Sequence, residues 1–197
     1  MTSEPSERKP TKPGERKRQI LETLAAMLEN PRGDKVTTAA LAARLKVSEA
    51  ALYRHFASKA QMFEGLIEFI ESTLFSLVNR ITTDTTDGVA QATQIVAVLL
   101  GFAEKNPGMT RVLIGDALTN EDERLQARMN QLYDKIEAAL RQALKIAQAG
   151  GNWTGDPIAE AATLLAFVLG RWLLFAKSGF KRLPQDGWDA QRKYLFG

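Results

Sequence analysis

The sequence predicts an all-α fold. Apolar residues recur at spacings of three and four along most of its 197 residues, and no segment sustains an alternation of period two. Pro, Gly and Asn clusters cut these stretches into helix-sized pieces, with Ser, Thr or Asp placed at several of the starts. The pieces predict a three-helix head followed by a six-helix body.

Residues 1–14 carry no apolar side chain after Met1 and are rich in Pro, Ser, Lys and Glu, which predicts a disordered basic tail. The first helix is expected from Glu15 to Leu28, with Ile20, Leu21, Leu24, Met27 and Leu28 on one stripe. Asn30-Pro31-Arg32-Gly33 should end it. Thr37 or Thr38 can then cap a second helix bearing Leu41 and Leu45, kept slim by alanines. Lys46-Val47 makes a turn, and Ser48 is placed to cap a third helix over Glu49–Phe56. Ser58-Lys59-Ala60-Gln61 fits a capping box opening the fourth helix, expected to reach about Arg80. Its apolar side includes Met62, Phe63, Leu66, Ile67, Ile70, Leu74, Leu77 and Val78.

A break at 82–88 precedes a fifth helix to Lys105, ended by Asn106-Pro107-Gly108. A short helix around Thr110–Ala117 and a long one from about Glu121 to Gln148 follow. Asp156-Pro157 pairs an N-cap with proline at the first helical position, launching an apolar helix to about Lys177. A last helix is expected from about Gln185 to Leu195. Residues 15–60 form the expected head and residues 61–197 the expected body.

Two short helices joined by a tight turn make a helix-turn-helix, whose second helix lies in a DNA major groove. Charge agrees with that assignment. Residues 1–60 hold 12 Lys/Arg against 7 Asp/Glu, a net of +5, whereas residues 61–197 hold 14 against 16, a net of −2. The positive charge sits on the part that must meet phosphates. The expected contact residues are Thr37, Thr38, Ser48, Glu49, Ala50, Ala51, Tyr53, Arg54, His55 and Lys59. Hydroxyls at helix starts suit phosphates, and Ala50 and Ala51 let the helix enter the groove and meet thymine methyls. Tyr53, His55 and Lys59 are placed to clamp the backbone. Glu49 could accept from cytosine N4 or simply favour the helix dipole. Leu41, Val47, Leu52 and Phe56 are expected in the core.

Other chemistry is poorly supported. There is no cysteine, so neither disulfides nor thiolate metal sites are available. Glu121-Asp122-Glu123 reads as first-turn acids on a helix dipole, and no metal or cofactor is expected. His55, the single histidine, has no nucleophile–carboxylate arrangement around it, so no catalytic residue is assigned. The absence of an apolar leader and of a roughly 20-residue apolar run leads us to expect a soluble, cytoplasmic protein.

The helix from Asp156 to Lys177 is apolar around most of its circumference and must be buried on most sides. Either the protomer core or a second copy could supply that burial. We expect a homodimer centred on Leu165, Leu169, Trp172, Leu173 and Trp188, since one helix-turn-helix reads too few base pairs.

The run VTTAALAARLKVSEAALYRHFASKAQMF resembles the DNA-binding unit of the TetR family, as does the order of a three-helix head before a helical body. LIEFIE at 66–71, LLGFAEKNPGMTRVL at 99–113 and RLQARMNQLYDKIEAALRQ at 124–142 resemble its nucleoid-occlusion branch. Two departures are visible: Ala57 stands where proline is usual, and Lys105 where arginine is expected. The resemblance implies a palindromic chromosomal operator, one or two dimers per site, and a second partner, the tubulin-like division protein FtsZ. It places FtsZ on Phe69, Val98, Gly101, Lys105 and Asn106, between the fourth and fifth helices. The residues add their own logic. Phe69 falls beside the apolar stripe, and Gly101 costs about 1 kcal/mol relative to alanine in a helix, so something should approach it closely. Lys105 and Asn106 could receive an acidic segment. The alternative is a ligand-responsive TetR-type repressor with a pocket in its body.

Overall fold

In the computed structural model, residues 14–30 and 36–197 are described. Residues 1–13 of the expected tail and most of the turn at 30–33 lie outside them. The described residues form nine α-helices and one 3-10 turn, with no strand: α1 Glu15–Leu28, α2 Thr38–Leu45, α3 Glu49–Tyr53, α4 Lys59–Asp84, α5 Gly88–Lys105, α6 Pro107–Leu113, α7 Arg124–Ala149, α8 Pro157–Lys177 and α9 Trp188–Phe196. The 3-10 turn, Asp116–Leu118, follows α6.

Three starts are closed by the expected side chains. Thr37 Oγ1 accepts from Ala40 N–H at 3.1 Å, Ser48 Oγ from Ala51 N–H at 3.3 Å, and Ser58 Oγ from Gln61 N–H at 3.2 Å. Each oxygen satisfies an amide that has no helical acceptor. The capping box at Ser58 is displaced by one residue, because Gln61 Oε1 accepts from Ala57 N–H at 2.9 Å. A proline at 57 would lack that donor. Between α2 and α3, Lys46 turns the chain in a left-handed conformation, φ 55°.

Some boundaries differ from expectation. α3 ends at Tyr53 rather than Phe56, because Arg54 caps it and His55 and Phe56 both donate to Leu52 O. α4 runs four residues past Arg80, and at about 1.5 Å per residue it spans roughly 39 Å, tying head to body. α6 starts earlier than expected, with Pro107 in its first turn, and α7 starts later, at Arg124. Glu121 and Asp122 therefore precede α7 rather than opening it. Glu121 pairs instead with Lys59 Nζ at 2.6 Å, and Asp122 with Arg124 at 2.9 Å.

The body is built around the contacts of α7 with α8 and α5, and of α4 with α5. Ile70, Leu74, Val96, Leu99, Leu140 and Val168 are fully buried there. Trp172 belongs to the same core: it is 0% exposed, and its indole N–H donates to Leu99 O at 3.0 Å. This corrects its assignment to a dimer interface, as does the burial of Leu165 at 8% exposure. Trp188 packs within its own chain, 6.2 Å from Phe167 and 6.4 Å from Phe196, centroid to centroid. Leu169 is half-buried and Leu173 is 45% exposed. α8 is apolar enough that its composition alone would allow it to cross a membrane, yet only 33% of its most apolar 18-residue window is buried. Its open face carries Ile158, Ala162, Ala166, Leu169 and Leu173, at helical spacing.

Head and body meet where α6 lies on α1. A Cβ at Gly108 would sit 2.0 Å from Ala25 O, so the two backbones approach too closely for any side chain. One turn later, Arg111 Nη1 donates to Leu28 O at 3.3 Å and Asn30 O at 3.2 Å, while its Nε donates to Asp116 at 2.8 Å. Lys177 completes the cluster on Asp116 at 2.7 Å. Burial acts to raise the Asp116 pKa, but the hydrogen bonds and charges of Lys177 and Arg111 outweigh it and hold the pKa below the ordinary 3.8. A depressed carboxylate contributes stability that is present above its unfolded pKa and lost as pH falls through the folded value. Asp116→Asn should therefore cost about 1–2 kcal/mol near neutral pH, with the difference from wild type closing below about pH 4 in urea titrations. A pH-independent difference would contradict this.

Candidate nucleic-acid interface and body groove

Most of the expected DNA-contact residues are open to solvent at the starts and along the surface of α2 and α3. Thr37, Ser48, Glu49, Ala50, Tyr53 and Arg54 are exposed, whereas Thr38, Ala51 and His55 are half-buried. Leu41 and Leu52, each 1% exposed, and Phe56, at 8%, hold α2 and α3 from beneath, and Val47 packs against the same core. The two helix starts are joined directly: Thr38 Oγ1 donates to Glu49 Oε2 at 2.6 Å. That bond sets the first turn of α3 against the first turn of α2, and it gives the Glu49 carboxylate a local partner. The amides of α3 have short exposed neighbours, so a duplex can approach closely.

Lys59 departs from this set. Its ammonium pairs with Glu121, lies 5.6 Å from the Phe63 ring centroid, and belongs to a side chain only 23% exposed. The ion pair joins the start of α4 to the segment before α7 and occupies the ammonium expected to clamp a phosphate.

A second feature lies in the body. Leu77 of α4, Ala97, Val98, Gly101, Phe102 and Lys105 of α5, Asn106, and Gln185 from the α8–α9 connection enclose a groove of about 380 Å³. Four of the five residues expected to meet FtsZ are therefore brought together. Phe69 is not among them. It is half-buried against the core, two turns before Leu77 on the same face of α4. Leu77, counted in sequence as part of the apolar side, is 38% exposed. The close approach anticipated at Gly101 comes from this chain itself: a Cβ there would stand 3.3 Å from Gln185 Nε2. Asn106 donates its side-chain amide to Phe102 O at 2.8 Å, closing the end of α5.

Residues 25–66 match the family of bacterial regulatory proteins of the tetR type, and residues 86–197 match the SlmA-like family described as tetracyclin repressor-like, C-terminal domain. The nucleoid occlusion factor SlmA of Escherichia coli K12 is 50% identical over 179 residues, covering 89% of this chain and 90% of that protein. The chain belongs to the SlmA branch of the TetR family. The SlmA of Alteromonas mediterranea is 47% identical over 178 residues, covering 89% and 91% of the two chains. Solved structures add the fold alone. The fatty acid degradation regulator FadR of Bacillus halodurans superposes with a TM-score of 0.79 at 13% identity, covering 95% of this chain and 97% of its own. A TetR regulator of Haloarcula marismortui gives 0.78 at 15%, covering 92% and 96%. The all-α, TetR-like architecture expected from the sequence is thus shared by SlmA relatives and more distant TetR regulators.

Proposed function

We propose that this protein binds palindromic chromosomal sites as a homodimer, one or two dimers per site, and there captures FtsZ, so that no division septum forms over the nucleoid. It acts by binding rather than catalysis, in the cytoplasm and on the nucleoid. The observation that carries this reading is the α4–α5 groove. It collects Val98, Gly101, Lys105 and Asn106, implied by the resemblance, around an apolar floor on a chain about 50% identical to SlmA. Exposed Lys105 at its rim suits an acidic segment. The alternative is a ligand-responsive repressor, which needs a cavity inside the body with a few polar groups in its lining.

The test separates two surfaces. Lys105→Glu should retain operator affinity in mobility-shift titrations and lose at least about tenfold in FtsZ binding, the equivalent of roughly 1.4 kcal/mol. Tyr53→Ala should do the reverse, weakening operator binding about tenfold with the melting temperature unchanged, and Thr37→Ala should weaken it as much while also lowering the melting temperature, because it removes the cap of α2. FtsZ binding unaffected by Lys105→Glu would end the groove assignment. Wild-type operator affinity in both head variants would end the DNA assignment.

A further inference from the structure

We propose that Gln185 is a specificity-determining contact for the segment bound in the α4–α5 groove, and that Arg171 is the positioning residue holding it in place. This rests on the groove being the FtsZ site. Gln185 lies in the connection between α8 and α9, far in sequence from the helices it faces. Ser178 Oγ holds the start of that connection by accepting from Lys181 and Arg182 N–H at 3.1 and 2.9 Å, and Arg171 holds the part around Gln185. The Arg171 guanidinium donates to three main-chain carbonyls, Pro184 at 3.0 Å, Leu183 at 2.9 Å and Asp186 at 2.6 Å. Glu104 of α5 adds a contact from the other side, its Oε2 standing 3.4 Å from Gln185 N. The turn is thus fixed at both flanks, and Gly101 leaves room for the Gln185 side chain to lie on α5.

Among the described residues, the exposed carboxamide it presents has no hydrogen-bond partner. An extended peptide entering an apolar groove loses water from its main-chain amides, and each unpaired group is costly. Among the groove's polar side chains, Lys105 offers a point charge, and Asn106 already spends a donor on Phe102 O. Gln185 offers both a donor and an acceptor, which a peptide unit requires. The occupant that fits is an extended segment of FtsZ with apolar side chains for the floor, a carboxylate for Lys105, and a main-chain amide for Gln185.

Purified FtsZ is the probe. Gln185→Ala should weaken its binding about three- to tenfold, the usual loss for one hydrogen bond, with operator affinity and melting temperature unchanged. Arg171→Lys should lose as much as Arg171→Ala, because a single ammonium cannot hold three carbonyls. In the Gln185→Ala background, Arg171→Lys should add little further loss, since its effect runs through the missing side chain. Additive losses would make Arg171 a structural residue only, and unchanged binding by Gln185→Ala would overturn the contact itself. Lys105→Glu is the reference. If it too leaves FtsZ binding intact, the groove reading fails. If it abolishes binding while Gln185→Ala does not, only the role of Gln185 fails.

Discussion

Leu169→Glu combined with Leu173→Glu should convert the protein to a folded monomer with about 10²- to 10⁴-fold weaker operator binding, because two linked reading heads gain that much over one. Both residues lie on the open face of α8, in register with Ile158, Ala162 and Ala166. Alanines between larger residues let two helices pack closely, and a stable interface of about 1,200 Å² or more needs such a surface. Two carboxylates at its centre would have to be buried without partners, which costs more than the lost apolar contact. Helix content should survive, since Leu173 is 45% exposed in the protomer. Trp172→Ala is the contrast. It empties the core and removes the bond to Leu99 O, so it should cost about 3–5 kcal/mol of folding stability. Sedimentation and thermal melts distinguish the two results. A charged double variant that stays dimeric at micromolar concentration would remove α8 from the interface.

The contrast between Trp172 and its neighbour Leu173 also marks what the sequence could and could not convey. Helix starts were legible because Thr37, Ser48 and Ser58 each act on an amide three residues ahead, well inside a local window. The faces of α8 were not, because periodicity cannot divide a helix that is apolar nearly all round. Trp172 went to the core, and Leu173, about 100° further around the helix, to the open face. Long-range partners were equally hidden. Position alone makes Lys59 a phosphate clamp, whereas its partner Glu121 lies 62 residues away along the chain. The glycine at 101 correctly signalled a close approach, but its neighbour came from Gln185 rather than from another protein. The groove residues on α5 were read from resemblance, whereas Leu77 and Gln185 needed the packed helices to be seen.

Gly108→Ala should weaken operator binding strongly without touching a DNA-facing residue. The α6 backbone lies directly on α1, and an added Cβ would fall 2.0 Å from Ala25 O and 2.9 Å from its carbonyl carbon. Backbone cannot swing aside as a flexible side chain can, so the head must shift relative to the body. Overpacking of this kind costs about 1–3 kcal/mol in stability. The larger consequence is geometric, because dimeric helix-turn-helix proteins read half-sites roughly 34 Å apart and tolerate little error in that spacing. Arg111 bonds the end of the same α1 through Leu28 O and Asn30 O, so the displaced head would also strain or lose these contacts. Mobility shifts on operators whose half-site spacing is altered by one base pair should show the variant losing its preference for the native spacing. Arg111→Met should move the preference in the same direction but less, since it frees the head without pushing it. Wild-type affinity and wild-type spacing preference in Gly108→Ala would mean that the α1–α6 contact does not set the distance between reading heads.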